Sequence, residues 1–275
     1  MHATPSTLHK PFLKWPGGKI RVVPKLLEVL PLGQRLIEPF VGSGAVFLNT
    51  RYKRYLLADT NQDLINLFGH ITAEGAAFID YCRPWFGPAF NREDAFYAMR
   101  ELFNAATDSR LRAALFLYLN KHCFNGLVRF NNKGLFNSPF GQFTDPRFPE
   151  KNLLYFQEQA RSAEFVCQDF TVTMKAARRG DVVYCDPPYV PLTLTANFTK
   201  FGRKDFGLDE QRELVRLARW LAQKGVPVVI SNHDTDFVTR EYAGAEMHRI
   251  SVRRSISRDG ATRGDVAEIV AVFRP

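Results

Sequence analysis

Val182-Val183-Tyr184-Cys185-Asp186-Pro187-Pro188-Tyr189 is the stretch on which the reading of this chain turns. A short apolar, β-branched run predicts a buried strand, and it ends abruptly in an acid, two prolines and an aromatic ring. Proline has no N–H for a sheet ladder, so Pro187 and Pro188 stop the strand and stiffen the chain just beyond its carboxyl end. In open α/β sheets that edge carries the ligand. Asp186 and the Pro187 carbonyl are acceptors with no donor between them. Two converging acceptors suit an amino group, and Tyr189 can stack on the flat ring that bears it. Taken alone, the same string also reads as a strand-end turn in which Asp186 caps a backbone N–H. Its neighbours along the chain have to separate the two.

Working outward, Arg35-Leu36-Ile37-Glu38 predicts a short strand running into Pro39-Phe40-Val41-Gly42-Ser43-Gly44, with an apolar helix start at 45–48. Strand, glycine loop and helix open a nucleotide-binding unit, the glycines letting backbone approach the ligand. Phe47 stands where a dinucleotide fingerprint has its third glycine, which argues for a smaller nucleoside ligand. A plain structural turn is the alternative. A second strand, Tyr55–Ala58, ends in Asp59, placed to accept hydrogen bonds from ribose hydroxyls. An Asp or Asn cap for the helix starting near Gln62 explains it as well. Ahead of both lies Phe12-Leu13-Lys14-Trp15-Pro16-Gly17-Gly18-Lys19, with paired glycines, two lysines and an indole. A Pro-Gly-Gly turn before a helix at about 21–30 would use the same residues.

The composition bounds what this frame can do. A chain of 275 residues can bury a large core as one domain, or as one domain with an insertion. Hydrophobic residues make up 45% and charged residues 24%, as in ordinary globular proteins, while the net charge of +9 favours a polyanionic partner. Cys82, Cys123, Cys167 and Cys185 are scattered without metal-ligand spacing, so no metal is expected. The amino terminus carries no apolar run of signal type and no segment approaches a membrane span, so a reducing, cytoplasmic setting is the expectation.

Between Gln62 and about Glu150 the strand pattern stops. Helical periods run through 62–82, 93–105 and 109–123, the last with Leu111, Leu115 and Leu119 on an apolar face that reads as packed core. Residues 120–143 contain no acid, and they interleave asparagines and Arg129 with Phe124, Phe130, Phe136, Phe140 and Phe143. Asn132-Lys133-Gly134 reads as a hairpin tip between strands at 128–131 and 135–137. That mixture serves base edges, phosphates and inserted rings. The rings are either core or aimed at a partner.

Strands resume at Glu164–Cys167, Val182–Cys185 and Val226–Ser231, with a helix over 208–224 and a capping loop at Asn232–Thr235 in which His233 has no assigned role. Asp169 ends its strand at the ligand edge, as a base contact or a helix cap. Met247–Val252 and Glu268–Phe273 form an antiparallel-compatible pair. The connection between them, with Arg253, Arg254 and Ser255 at its start, suits phosphate contact or a solvated loop.

In this order the segments FLKWPGGK, EPFVGSG, a strand-end AD, a helical insert and DPPY resemble the Dam-type DNA adenine-N6 methyltransferases, which use S-adenosylmethionine and target GATC. The similarity runs through nearly the whole chain and includes FLYLNKHCFNGLVRFN, PFG, TANFT, SNHDT and RRSIS. It implies an α/β fold: a Rossmann-like methyltransferase mixed sheet flanked by helices, with an inserted, mainly helical DNA-recognition domain. The implied boundaries are 1–61 with 151–275 for the catalytic domain, and 62–150 for target recognition and its β-hairpin.

The resemblance also implies roles. Trp15 and Lys19 line the methionine part of the cofactor, Phe40, Gly42 and Gly44 form its loop, Asp59 accepts from its ribose, and Asp169 meets its adenine. Asp186, Pro187, Pro188 and Tyr189 form the catalytic tetrad, with Asp186 also beside the cofactor; a cytosine-N4 enzyme more usually carries Ser at that acid. Lys14, Phe124, Asn125, Leu127, Arg129 and Pro139 reach or wedge into the target, and Asn132 at the hairpin tip with Arg253, Arg254 and Ser255 completes the DNA set. Phe124 and Phe143 stand where relatives often have Tyr, and Thr144 where a basic residue is common, departures that bear on flanking-phosphate contact and specificity. The implied partner is duplex DNA, met by a monomer in the cytoplasm at the nucleoid, with no membrane and no metal. An RNA adenine-N6 methyltransferase and a non-catalytic DNA reader on the same fold are the competing readings.

Overall fold

A computed structural model describes residues 7–144, 146–190, 206–253 and 265–275. Seven strands form one sheet: β1 (Arg35–Glu38), β2 (Arg54–Asp59), β3 (Ala163–Cys167), β4 (Asp181–Cys185), β5 (Val228–His233), β6 (Glu246–Arg253) and β7 (Asp265–Phe273). Their order is β3-β2-β1-β4-β5-β7-β6. Neighbours from β3 to β5 pair in parallel, whereas β7 runs antiparallel to both β5 and β6. The sheet is therefore mixed, as the sequence predicts. The chain fills one side of β1 with β2 and β3, then returns to start the other side at β4, so the switch in strand order falls between β1 and β4. Crevices at such a switch are where open α/β sheets hold ligands.

Alternation along the strands divides the core in two. Leu36, Tyr55, Leu57, Tyr184 and Val229 face one apolar cluster, while Ile37, Leu56, Val183, Cys185, Val228 and Ile230 face the other. Successive strand side chains point to opposite faces, so each strand supplies both layers. One face is covered by α7 (Phe170–Lys175), α8 (Leu208–Gln223) and α9 (Asp236–Glu241). Against the other lie α1 (Val23–Val29), α2 (Gln62–Glu74), α3 (Ala76–Cys82), α4 (Glu93–Ala105), α5 (Ser109–His122) and α6 (Glu150–Ala160). Every residue of β4 is buried, which explains why Val182–Cys185 reads as a continuous apolar run.

Three local expectations change. The helix predicted over 62–82 breaks at Gly75, whose φ of +57° ends α2 and starts α3. The hairpin tip is present, with Gly134 N–H donating to Asn131 O at 2.9 Å, but its predicted strands reduce to one bridge, Phe130 to Phe136. Asn132 is thus on an exposed turn rather than at the end of a ladder. Asn232 and His233, predicted in a loop, extend β5 by pairing with Ile269 and Glu268 of β7; Thr235 does cap α9. Local sequence could not show that partner.

Helices α2–α5 share the apolar cluster of the sheet instead of enclosing one of their own. Residues 113–120 of α5 are buried without interruption, a wider burial than the predicted leucine face. Asn120 on α5 fastens this layer to the leader: its Oδ1 accepts from Lys14 N–H at 3.0 Å and its Nδ2 donates to Lys14 O at 2.7 Å. The next residue, Lys121, donates from Nζ to Phe12 O at 2.7 Å, and burial lowers its pKa to about 8. Asn120→Ala removes both backbone partners of Lys14. Its expected cost is about 2–4 kcal/mol, read as a lower urea midpoint with an unchanged slope.

Candidate active site

All five parallel strands run the same way, so their carboxyl ends emerge on one edge. Glu38 ends β1, Asp59 ends β2, Asp169 follows β3, Asp186 follows β4 and His233 ends β5. The glycine loop after β1 is tied across to β2 by Val41 N–H to Ala58 O at 2.8 Å and by Gly42 N–H to Asp59 Oδ2 at 3.1 Å. Gly42 and Gly44 have φ of +47° and +76°, a region that disfavours side chains. A Cβ on Gly42 would also lie 3.0 Å from the Trp15 indole, so the ring and the loop form one close-fitting cradle. Asp59 Oδ1 accepts from Asn61 N–H at 2.9 Å, and Asn61 rather than Asp59 caps α2. Burial raises the Asp59 carboxyl, against the pull of these backbone donors.

At the tip of β4, Lys19 Nζ lies 3.1 Å from Asp186 Oδ1, 3.0 Å from Gly17 O and 4.3 Å from the centre of the Tyr189 ring. Only 7% of the Lys19 side chain is exposed. Its contact with Asp186 pairs charges without hydrogen-bond alignment, which leaves Oδ1 a buried acceptor with no donor. The Pro187 carbonyl likewise accepts no hydrogen bond among the described residues. The bend beyond is held firmly: Gln211 Nε2 donates to Pro188 O at 2.8 Å, Val190 N–H donates to Asn232 Oδ1 at 3.1 Å, and Asn232 in turn donates to Gln211 Oε1. Tyr189 donates its hydroxyl to Glu268 Oε2 at 3.1 Å and meets the His233 ring edge-on at 4.6 Å. The structure therefore does not make Asp186 a turn cap; it leaves the acid facing an unfilled hydrogen-bonding role.

Several carboxyls crowd this one ammonium. Burial pushes Asp186 up to about 6, Lys19 pulls it down and Glu268 adds to the rise. Glu38 is fully buried, and that burial together with the Asp186 charge holds it well above the usual carboxylate range. Its Oε1 has no hydrogen-bond partner among the described residues.

Asp169 takes the capping role that the sequence left open, accepting from Thr171 N–H at 2.9 Å and Thr171 Oγ1 at 2.6 Å at the start of α7. Phe40 lies beside it, stacked on Phe170 at 5.4 Å. On the other flank, Lys14 places its ammonium 3.8 Å over the Phe143 ring, and Phe124 N–H donates to Pro139 O at 2.9 Å. Lys14 packs so closely on Gly126 that a Cβ there would clash with it. Phe124, 52% exposed, and Asn125, at φ +53°, thus share one surface with Lys14 and Pro139. Leu127 is half-buried behind them. Phe136 is core and Phe130 and Phe140 pack against it, so of these five rings Phe124 projects most. Arg129 stands on the hairpin with its guanidinium folded onto Asn137, at 2.8 Å to Oδ1 and 3.0 Å to the carbonyl oxygen. Arg253 closes β6, while Arg254 and Ser255 lie outside the described residues.

Sequence reasoning did not single out Glu38, Gln211, Asn232 or Glu268. An acid directly before a glycine loop is a visible signal for Glu38. The other three are joined to the site only through contacts 23 to 79 residues apart.

Strand order, glycine cradle and the acceptor pair at the switch define an α/β methyltransferase of Rossmann-like build. The model of the D12 class N6 adenine-specific DNA methyltransferases matches residues 15–256, and the chain belongs to that family. It is thus a methyltransferase whose substrate is DNA adenine, and family and fold imply S-adenosylmethionine. The chain is 48% identical to a DNA adenine methylase of Serratia marcescens over 267 residues, 97% of this chain and 99% of that one. It is 46% identical to one of Vibrio cholerae over 265 residues, 96% of each. With one of Escherichia coli K12 it shares 45% over 267 residues, 97% of this chain and 96% of that one. Among the described residues no helix is long and apolar enough to cross a membrane.

Glu38 gives a pH-dependent prediction. A carboxyl whose folded pKa is raised binds its proton more tightly in the folded state, so its stabilisation is present at low pH and lost as pH rises. Glu38→Gln removes that charging cost. The variant's melting temperature relative to the native chain should therefore rise between pH 5 and pH 8, with little difference at the acid end.

Proposed function

We propose that this chain methylates N6 of a flipped adenine in duplex DNA, within GATC, by direct in-line transfer without a covalent enzyme intermediate. The observation that carries the reading is a pair of acceptors lacking donors, Asp186 Oδ1 and Pro187 O, in a rigid bend at the sheet's switch point. An exocyclic amino group has two N–H donors to offer such a pair. The N6 lone pair is normally delocalised into the purine ring and is a poor nucleophile. Holding both protons turns the nitrogen towards tetrahedral geometry and frees that lone pair. Asp186 also stabilises the positive charge that builds on N6, an interaction stronger at this largely buried carboxylate than in water. S-adenosylmethionine, when bound, supplies a methyl group on an electrophilic sulfonium.

The cradle fits that group. Trp15 and Lys19 line its methionine part, Phe40 with Gly42 and Gly44 surrounds its nucleoside, Asp59 receives ribose hydroxyls, and Asp169 meets its adenine through the oxygen that does not cap α7. Tyr189 stacks on the flipped base with the face opposite Lys19, and its tether to Glu268 fixes the ring plane. Extrusion of the base costs a few kcal/mol. Phe124 offsets this by filling the vacated stack, with Asn125, Leu127 and Pro139 beside it. Residues 62–150 form the target-recognition part: Lys14 with Arg129 reads the target, and Asn132 and the start of the β6–β7 connection at Arg253, Arg254 and Ser255 contact phosphates. The protein acts as a monomer in the cytoplasm at the nucleoid.

Labelled methyl transfer to a GATC duplex, a scrambled duplex and RNA tests substrate and site together. Incorporation should be confined to the first, and equal labelling of the first two would remove the site claim. Asp186→Ala should lower single-turnover transfer by at least about 10³-fold while duplex binding persists. Because Asp186 must be ionised, the native rate should fall about tenfold per pH unit below a pH of about 6. Glu268→Ala should slow transfer about tenfold with little change in DNA binding, and Glu268→Gln, which keeps an acceptor for Tyr189, should recover most of it.

A further inference from the structure

The opposite edge of the sheet carries a second concave site. A cavity of about 540 Å³ opens at the amino ends of β1 to β4, bordered by Arg35, Arg54, Arg161, Arg178 and Arg179 against only two acids, Glu164 and Asp181. Arg35 and Arg54 open neighbouring strands in register, and Arg35 is also in register with Asp181. One pair is complete in itself: Arg35 grips Asp181 at 2.6 and 3.1 Å, and the same carboxylate accepts from Arg178 N–H at 2.9 Å. This buried clamp makes a firm floor. Around it, the guanidinium groups of Arg54, Arg178 and Arg179 have neither an ion pair nor a hydrogen bond among the described residues, and Glu164 on the rim has no partner among them either. Arg161 reaches outward to Glu158 at 3.2 Å.

Cations collected in a concavity repel one another unless an anion joins them. Arginine forks match phosphate oxygens in pairs, which a lone ammonium cannot do. Arg161 at the end of α6, and Arg178 and Arg179 just beyond α7, have another explanation, because a helix carboxyl end attracts positive charge. Arg54 has none: it opens β2 after a loop and lies at no helix end. The strands between the two edges are four to six residues long, which separates the sites by roughly 15–20 Å of sheet. A duplex engaged at the Asp186 edge would present its phosphates on that side of the molecule.

We infer that this arginine cleft holds the phosphate backbone of a second DNA segment while a first occupies the catalytic edge. The inference rests on the reading that DNA is the substrate. Rim exposure of Arg54, Arg178 and Arg179 favours a polyanion lying across the cleft over a small phosphate enclosed within it. Such a site would let the protein pass between DNA segments without release into solution.

The test uses the full chain saturated with an unlabelled GATC duplex and S-adenosylhomocysteine, to which a labelled duplex lacking GATC is added and followed by anisotropy. The native protein should bind the second duplex. Arg54→Gln/Arg178→Gln/Arg179→Gln should weaken that binding at least tenfold and lower its log–log salt slope by about 2–3, with single-turnover methylation of a short duplex unchanged. Arg54→Glu alone, clear of the helix ends, should weaken it at least threefold with no loss of melting temperature. Retained second-duplex binding in either variant overturns the inference, as does a triple variant that loses only thermal stability. Binding of deoxyadenosine monophosphate or inorganic phosphate without a second duplex overturns it too. A native protein that methylates the first duplex and ignores the second sinks this inference alone, whereas failure to bind or methylate the first sinks the DNA reading beneath it.

Discussion

Parallel pairing is the constraint on which the rest of the molecule depends. Strands that run the same way, joined through covering helices, deliver every strand-end residue to one edge. Glu38, Asp59 and Asp186 are far apart in sequence, yet β1 is hydrogen-bonded to both β2 and β4, so the three acids emerge side by side. The same arrangement sends the residues that begin each strand to the far edge, where Arg35, Arg54 and Asp181 meet. One topological fact thus builds an acidic edge and a basic one.

Electrostatics then differentiates the acids. Asp186 feels both Lys19 and Glu268, and Glu38 feels Asp186, and one buried ammonium cannot offset every carboxylate around it. Glu38, sealed from solvent, takes the neutral form most readily. Asp186 has the ion pair and stays ionised at neutral pH, with its pKa near 6. Glu268, only partly buried, engages the Tyr189 hydroxyl instead. The charge at Asp186 is held in place by neighbours that give up theirs or use them elsewhere. That arrangement suits a group that must stabilise developing positive charge without first being reorganised.

The exposed surface around Lys14 and Phe124 depends on the same core. Lys14 projects because Asn120 clasps its backbone from α5, and α5 is buried along most of its length against the sheet's own apolar layer. The leader, the glycine cradle and the loop at 123–127 are therefore braced by one packed body. Movement of the loop relative to Asp186 would have to displace Asn120, which is fully buried and hydrogen-bonded on both sides.

How much of this was legible in the sequence follows from the range of each interaction. Strands β1, β2 and β4, the glycine loop and the abrupt end at Pro187 were readable because period, β-branching and proline act within a few residues. The roles of the tetrad, the cradle and Asp59 came instead from the resemblance of the ordered motifs, because each string taken alone also reads as a turn or a cap. The break at Gly75, the shrunken hairpin and the extension of β5 to His233 could not, since each was settled by a packing or pairing partner elsewhere in the chain. Which phenylalanine points outward was equally hidden: Phe136 and Phe124 are the same residue type in the same stretch, and only the walls around them differ. The sequence by itself determined the class of fold, an acid at the abrupt end of β4 and a bias towards a polyanionic partner, because those rest on local chemistry, motif order and composition. Tertiary structure alone decided that Asp186 Oδ1 has no aligned donor among the described residues, that Glu38 is pushed towards its neutral form, that Glu268 holds Tyr189 and that the arginines gather opposite, because burial and charge coupling act between residues that the chain brings together only on folding.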